Sequence, residues 1–330
     1  MKAACVLCLL LVSGCGQPRP DAVRVAVFPI LDWFPFYLAR DLGYFREEGL
    51  EVASEEFNQG SKMMESLIAG DVDVSFDSVP MAAVMAAQGR HIKALFSAYN
   101  TNLSLLVAGP THAGSIRGVA SLKGATVGTG SFGGIQHRML LYYLHRSGLK
   151  ESEVRLTTIG AAATAVAAVQ YGKVDAAIIN GAAFRLLKKQ VPGVRVLLDP
   201  RSREQAKELF GIEEFPGSFG LLATEKWLSQ NPQKARQLAR GMRRTLEWIH
   251  AHSAEEVLGR IPAHLRSDDR EADLEHLRLL TGLLSKDGRI PVGGPEAVQR
   301  VLSASVDNVM SIDLASTWTN EFLDWQKENP

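Results

Sequence analysis

The residues most able to do chemistry are Gly128-Thr129-Gly130-Ser131-Phe132-Gly133-Gly134. The run follows a strand pattern, Ala125 to Thr129, and opens a helix pattern, Gly134 to Ser147. A loop so placed bares backbone N–H groups at the positive end of a helix, which suits a sulfonate, nitrate, phosphate or carboxylate. Ser131, Phe132, Gly133 and Gly134 are the expected contacts. The string also satisfies the dinucleotide fingerprint G-x-G-x-x-G. That reading needs an acid near the end of the next strand, and that strand ends Thr157-Thr158-Ile159-Gly160. Dinucleotide binding is therefore set aside. A tight turn with packing glycines is the remaining alternative.

Other polar and aromatic groups fall where predicted strands end, and ligands of open α/β sheets bind beyond those ends. Asp32, Trp33 and Phe34 follow the first strand. An aromatic pair there can stack on a flat solute or shield an aliphatic one, with at least one ring expected to pack under the following helix. Asp32 could accept from an amino group, and would repel an anion. Gly60 and Ser61 open another helix, with Ser61 as its expected N-cap. Ser78, and Asn180 with Gly181, stand at two further strand ends. Each of these polar side chains reads either as a solute contact or as a helix cap. His137 and Arg138 lie in the first turn after the glycine loop. A nearby anion or a solvated helix face would each account for cations there.

Catalytic constellations are missing. The chain has no Gly-x-Ser-x-Gly elbow and no His-Glu-x-x-His. His250 and His252, two apart on a predicted helix, diverge too far to share a metal. All three cysteines (Cys5, Cys8, Cys15) lie in the first fifteen residues, leaving none further on for a nucleophile, disulfide or metal cluster. The expectation is no catalytic residue, no metal and no cofactor.

The elements that must position these residues form a diverged repeat. Leu67-Ile68-Ala69-Gly70-Asp71-Val72-Asp73-Val74 returns as Val169-Gln170-Tyr171-Gly172-Lys173-Val174-Asp175-Ala176, and Gly49-Leu50 returns as Gly148-Leu149. Each copy reads strand, helix, strand, helix, strand. Such alternation predicts α/β lobes with parallel-type sheets and right-handed crossovers. Aligning Asp73 with Asp175 pairs Ser78 with Asn180. Expected strands are Val23 to Pro29, Asp73 to Phe76, Ile92 to Tyr99, Ser104 to Ala108, Arg155 to Ile159, Ala176 to Ile179, Val194 to Leu198 and Phe219 to Thr224. Expected helices include Lys62 to Ala69, Met81 to Gln88, Ala161 to Tyr171 and Ala182 to Gln190. After about Phe215 the pattern is nearly all helix: Asn231 through Trp248, then roughly Asp273 to Leu284, Glu296 to Val309 and Leu314 to Gln326. The predicted layout is lobe 1 over 23–108 plus 217–330, and lobe 2 over 109–216. Two strands near Gly109 and Pro216 would form the hinge, and the C-terminal helices would cover lobe 1.

Composition narrows the class. Lys plus Arg equal Asp plus Glu at 36 each, so no basic field argues for nucleic acid. Hydrophobic content of 46% with 22% charged residues fits a packed globular chain. The first fifteen residues carry Lys2, an apolar run from Ala3 to Val12, and Ser13-Gly14-Cys15. A positive start, a greasy core and small residues make a secretory signal, and the core is about half the length a spanning helix needs. Val12-Ser13-Gly14-Cys15 resembles the bacterial lipobox, in which the cysteine is acylated. Cys15 would then become the new N-terminus and anchor an exported chain to a membrane, with 1–15 the signal peptide that ends at this lipidated cysteine and 16–22 a tether stiffened by prolines.

Several segments together resemble one family. They are Trp33-Phe34-Pro35-Phe36-Tyr37-Leu38-Ala39, Gly43-Tyr44-Phe45-Arg46-Glu47-Glu48-Gly49-Leu50, Ala69-Gly70-Asp71-Val72-Asp73, Leu122-Lys123-Gly124 and Gly172-Lys173-Val174-Asp175-Ala176. The family is the ABC-transporter substrate-binding proteins for sulfonates, nitrate, taurine and thiamine-pyrimidine precursors. The resemblance implies a type II periplasmic-binding-protein fold, a small molecule between the lobes, and delivery to a permease driven by an ATPase. Some members of the family are enzymes that make the thiamine pyrimidine and carry a cysteine-rich motif, which this chain lacks after Cys15. The expected function is a lipid-anchored solute-binding protein for a small anion or an amino-bearing heterocycle. The alternative is an enzyme on the same scaffold acting on a small heterocycle.

Overall fold

The computed structural model describes residues 21–160 and 162–324. The leader, Cys15 and nearly all of the tether lie outside them, as does Ala161. The strands are β1 (Val23–Val27), β2 (Val52–Glu56), β3 (Val74–Ser78), β4 (Ile92–Ser97), β5 (Leu105–Ala108), β6 (Thr126–Thr129), β7 (Arg155–Thr158), β8 (Ala176–Ile179), β9 (Arg195–Leu198) and β10 (Phe219–Thr224). The helices are α1 (Phe34–Asp41), α2 (Tyr44–Glu47), α3 (Gly60–Ala69), α4 (Met81–Ala87), α5 (Ile135–Arg146), α6 (Ala162–Gln170), α7 (Gly181–Gln190), α8 (Arg203–Phe210), α9 (Glu225–Gln230), α10 (Pro232–Ala251), α11 (Ala254–Arg260), α12 (Arg270–Leu283) and α13 (Gly294–Leu302).

Two five-stranded sheets result, ordered β2-β1-β3-β10-β4 and β7-β6-β8-β5-β9. They are mixed rather than wholly parallel. The three strands of each repeat run parallel, while β10 is antiparallel to β3 and β4, and β5 is antiparallel to β8 and β9. The antiparallel strands are those by which the chain enters one lobe and returns to the other. The crossovers within each repeat force only the first three strands to be parallel.

The repeat is visible in the register. Arg24 pairs with Ala53 and Val25 with Val74; Thr126 pairs with Arg155 and Val127 with Ala176. One constant displacement along the chain relates all four pairs. The repeated aspartate explains part of this. Asp73 Oδ2 accepts the Arg24 N–H at 2.9 Å, and Asp175 Oδ2 accepts the Thr126 N–H at 2.7 Å. Each carboxylate ties the start of the third strand to the start of the first. Gly70 and Gly172 adopt positive φ just before, where an L side chain would be strained.

β5 belongs to the second sheet. The outward crossing therefore lies at residues 98–104, earlier than the position near Gly109 expected from the pattern. The return segment bonds to it. Phe215 N–H donates to Asn100 O at 3.1 Å, Leu103 N–H donates to Ser218 Oγ at 3.0 Å, and Asn102 Nδ2 donates to Gly217 O at 3.3 Å.

The C-terminal helices cover lobe 1 and also reach lobe 2. Leu274, Leu277 and Leu280 of α12 enter the lobe 1 core with Phe34, Phe36 and Leu246. α12 also packs on α7, and α13 packs on both α4 and α5. The expected helix Glu296 to Val309 stops at Leu302. The segment from Leu314 to Gln326 forms only a 3₁₀ turn, Leu314–Ser316, followed by a bridge between Trp318 and Ala94; Trp325 and Gln326 lie outside the described residues. Amphipathic spacing there serves a chain laid along the edge of β4, not a helix.

Candidate functional site

The strand tips of the two lobes meet. Gly181, the first residue of α7 beyond β8, sits so close to His276 of α12 that a Cβ on it would lie 2.7 Å from the imidazole Cε1. His276 Nε2 is 2.6 Å from Asp32 Oδ1, just beyond β1. Farther along the same helices, Arg185 pairs with Asp273 and Lys189 with Asp269. Asp273 also accepts from Ser267 N–H at 2.8 Å and Ser267 Oγ at 2.9 Å. α7 therefore lies antiparallel along α12, one helix from each lobe.

Asp32, Trp33 and Phe34 do not form an exposed set. Asp32 is fully buried, and its backbone O accepts the Tyr99 hydroxyl at 2.9 Å. Trp33 is 5% exposed, donates Nε1–H to Phe76 O at 2.8 Å and packs on Phe219 with ring centroids 3.6 Å apart. Phe34 is fully buried in the lobe 1 core. Both rings fill the core beneath α1, because the hydrophobic gain from burying two large rings outweighs what they would contribute at a wet surface. Asp32, held against His276, is no longer a free carboxylate facing an incoming anion.

The glycine loop is braced from behind. Gly133 N–H donates to His137 Nδ1 at 3.2 Å, and Arg138 Nε donates to Gly133 O at 3.0 Å. Arg138 also donates to Ser305 O at 3.1 Å, reaching the segment after α13. Burial lowers the pKa of His137 and of Arg138. These two side chains hold the loop, so the amide of Gly133 is already engaged and is withdrawn from the expected anion cradle. Ser131 and Gly134 are half-buried at the loop, and Phe132 presents an exposed ring, 54% accessible, edge-on to His137.

Asn180 caps α7: its Oδ1 accepts the Ala183 N–H at 2.8 Å. Its partner by the repeat, Ser78, has a buried Oγ without a hydrogen-bond partner among the described residues, as does Thr129 at the tip of β6. Gly60 is the first residue of α3, and Ser61 is exposed. The N-cap is Gln59, with no side-chain cap bond, so Ser61 does not cap the helix.

Asp77, adjacent to Ser78, was not among the expected contacts. Its Oδ1 accepts the Ser78 N–H at 2.6 Å, and burial raises its pKa to about 6, with that backbone bond pulling the other way. The signal was present in the sequence: a carboxylate in Val-Ser-Phe-Asp-Ser, a strand buried at every position. The expected strand ended one residue short of it.

Two surface recesses, of 320 and 600 Å³, flank lobe 1. Arg40 and Arg46 line the first, Lys93 and Arg236 the second, and neither contains an expected contact residue. Among the described residues, no three His, Cys, Asp or Glu side chains converge as a metal would require, and no helix is long and apolar enough to cross a membrane.

Residues 31–256, from beyond the tip of β1 to the first turn of α11, match the NMT1/THI5-like family model. The chain belongs to the NMT1/THI5-like family. The chain is 25% identical over 267 residues to the riboflavin-binding protein RibY of Chloroflexus aurantiacus, covering 73% of this chain and 71% of that protein. It is 28% identical over 232 residues to the 4-amino-5-hydroxymethyl-2-methylpyrimidine phosphate synthase of Aspergillus parasiticus, covering 67% and 64%. In three dimensions it is similar to a protein of Bordetella bronchiseptica RB50, with TM-score 0.84 at 26% identity over 92% of this chain and 96% of that one. The periplasmic aliphatic sulphonate binding protein SsuA of Escherichia coli superposes with TM-score 0.64 at 22% identity, over 92% and 99%. This NMT1/THI5-like chain thus has the periplasmic-binding-protein fold.

Proposed function

We propose that this chain is the solute-binding component of an ABC importer, which captures one small molecule between its lobes and presents it to a permease. The observation that carries the reading is the convergence of the lobe tips, where Gly181 is seated on the Asp32–His276 pair. A fold whose halves meet through their strand ends gains a closed state that a solute can stabilise. The solute is either a small sulfonate- or nitrate-like anion or an amino-bearing heterocycle. The chain is exported, with Cys15 as its lipid anchor and residues 16–22 as the tether. Lobe 2 is the segment between the two crossings, and the rest of the described chain is lobe 1.

One relative carries the name of a synthase, which favours a second reading: an enzyme on the same scaffold acting on a small heterocycle. The absence of any cysteine after Cys15, and of a Ser or Cys side chain hydrogen-bonded to an imidazole among the described residues, supports capture over conversion. Thermal shift against riboflavin, an aminopyrimidine, an alkanesulfonate and nitrate tests the proposal, with mass spectrometry of each solute afterwards. A saturating rise in melting temperature with the solute unchanged is expected. Chemical turnover would favour the enzyme, and silence across the panel would remove both readings.

A further inference from the structure

Three aspartates are buried among the described residues: Asp32, Asp77 and Asp273. Asp32 has His276, and Asp273 has Arg185 and Ser267. Asp77 has no basic side chain within ion-pair distance among the described residues, and its Oδ2 makes no hydrogen bond there. The residue opposite it on β10 is Gly220, which supplies no side chain. A carboxylate taken out of water normally has a cation or several donors to hold it. Asp77 has one backbone N–H.

Its place gives that deficit a use. Asp77 shares a face of β3 with Ser75, whose strand partners Ala26 and Leu222 lie in the core beneath Met63, Met64 and Leu67 of α3. Two residues farther on, that face comes to the strand tip, where α3 begins at Gly60. Asp77 is 7% exposed, so its carboxylate is not completely sealed from solvent. It stands at the strand-tip end of lobe 1, the end on which the proposed solute would lie.

We propose that Asp77 Oδ2 is the lobe 1 anchor for an N–H donor on the captured solute, so that the site takes an N–H-bearing heterocycle in preference to a sulfonate or nitrate. This rests on the solute-binding reading and narrows its solute class. A bound oxyanion would face an uncompensated carboxylate in a dry site. An amino group or ring N–H would supply the missing donor.

The test is calorimetric titration of the wild-type protein, Asp77→Asn and Asp77→Ala with four probes: riboflavin, 4-amino-5-hydroxymethyl-2-methylpyrimidine, ethanesulfonate and nitrate. Thermal unfolding of each variant serves as the folding control. Asparagine keeps the volume and an oxygen for the bond from Ser78, removes the charge and puts an NH2 donor where Oδ2 accepted. The expected result is binding of at least one heterocycle and neither oxyanion, weakened about 10- to 100-fold in both variants, the range for a charge-assisted hydrogen bond. Oxyanion binding by the wild type, or unchanged heterocycle affinity in folded variants, would overturn the role of Asp77 and leave solute capture standing. No binding of any probe by the wild type would overturn both.

Discussion

Gly181 and His276 stand in van der Waals contact across the two lobes, with no room between them for even one methyl group. The imidazole is fixed from below by Asp32, so it cannot swing aside without leaving that partner. Glycine at the start of α7 is thus a requirement of lobe contact and not of the helix itself, whose cap is the neighbouring Asn180.

Gly181→Val should therefore hold the lobes apart. One buried cluster reaches from Met63 and Val84 of lobe 1 to Val127 and Tyr143 of lobe 2, and Arg185 pairs with Asp273 between the lobes, so the melting temperature of the solute-free protein should also fall. Small-angle scattering should report a larger radius of gyration, and solute affinity should fall at least tenfold. A variant as compact as the wild type would show that the contact yields to a larger residue.

Arg185→Ala should cost stability. Asp273 is almost completely buried, and breaking a buried pair from one side costs about 3–5 kcal/mol. Ser267 continues to donate twice to Asp273, so the lower end, about 3 kcal/mol, is expected. Denaturant unfolding should show it, with a fall in melting temperature of roughly 5–10 °C. Lys189→Ala, removing an exposed lysine paired with a half-buried aspartate, should cost under about 1 kcal/mol.

Asp73→Ala and Asp175→Ala should destabilise by similar amounts, because the two carboxylates do the same work in the two lobes. Each accepts a strand amide and lies near a basic side chain, Arg24 at 3.1 Å and His112 at 3.0 Å. Both sites are partly exposed, so about 1–2 kcal/mol each is expected from lost charge-assisted bonds. Urea unfolding of the pair checks this. A cost in one lobe only would mean that the shared register rests on other contacts.

The difference between what was legible and what was not follows sequence distance. Glycine and aspartate in Gly-x-Val-Asp act on a neighbouring strand within one repeat, so their recurrence exposed both lobes. Helix-ending glycines act within a turn, and they marked the helix ends. His276 reaches Asp32 from the far end of the chain, and nothing local to either residue specifies the other. The placement of β5 was also hidden: four apolar residues fit either sheet, and only pairing with β8 and β9 decides. Trp33 and Phe34 read as cleft aromatics because their position beyond a strand was visible, whereas Phe219, which covers the Trp33 ring, lies far along the chain. Asp77 was legible in principle, as a charge inside a strand pattern, and it was missed because the strand was ended too early.

The pH dependence of stability should single out Asp77. Its folded pKa is raised from 3.8 to about 6 by burial. Between those values the folded protein holds a proton that the unfolded chain has released. Stability from this group is therefore greatest below about pH 4, is lost as pH rises through 6, and stays flat above. A shift of about two units corresponds to roughly 3 kcal/mol. Solute-free wild type should accordingly unfold at higher urea near pH 5 than near pH 7.5, once the slope shared with other carboxylates is subtracted by comparison with Asp77→Asn. The asparagine variant has no proton to lose at this position, so its profile should lack the step and lie above the wild type at pH 7.5. A solute that donates to the carboxylate favours the ionised form, so saturating solute should shrink the step in the wild type. Parallel profiles for the two proteins would show that Asp77 titrates in the folded state as it does in the unfolded chain.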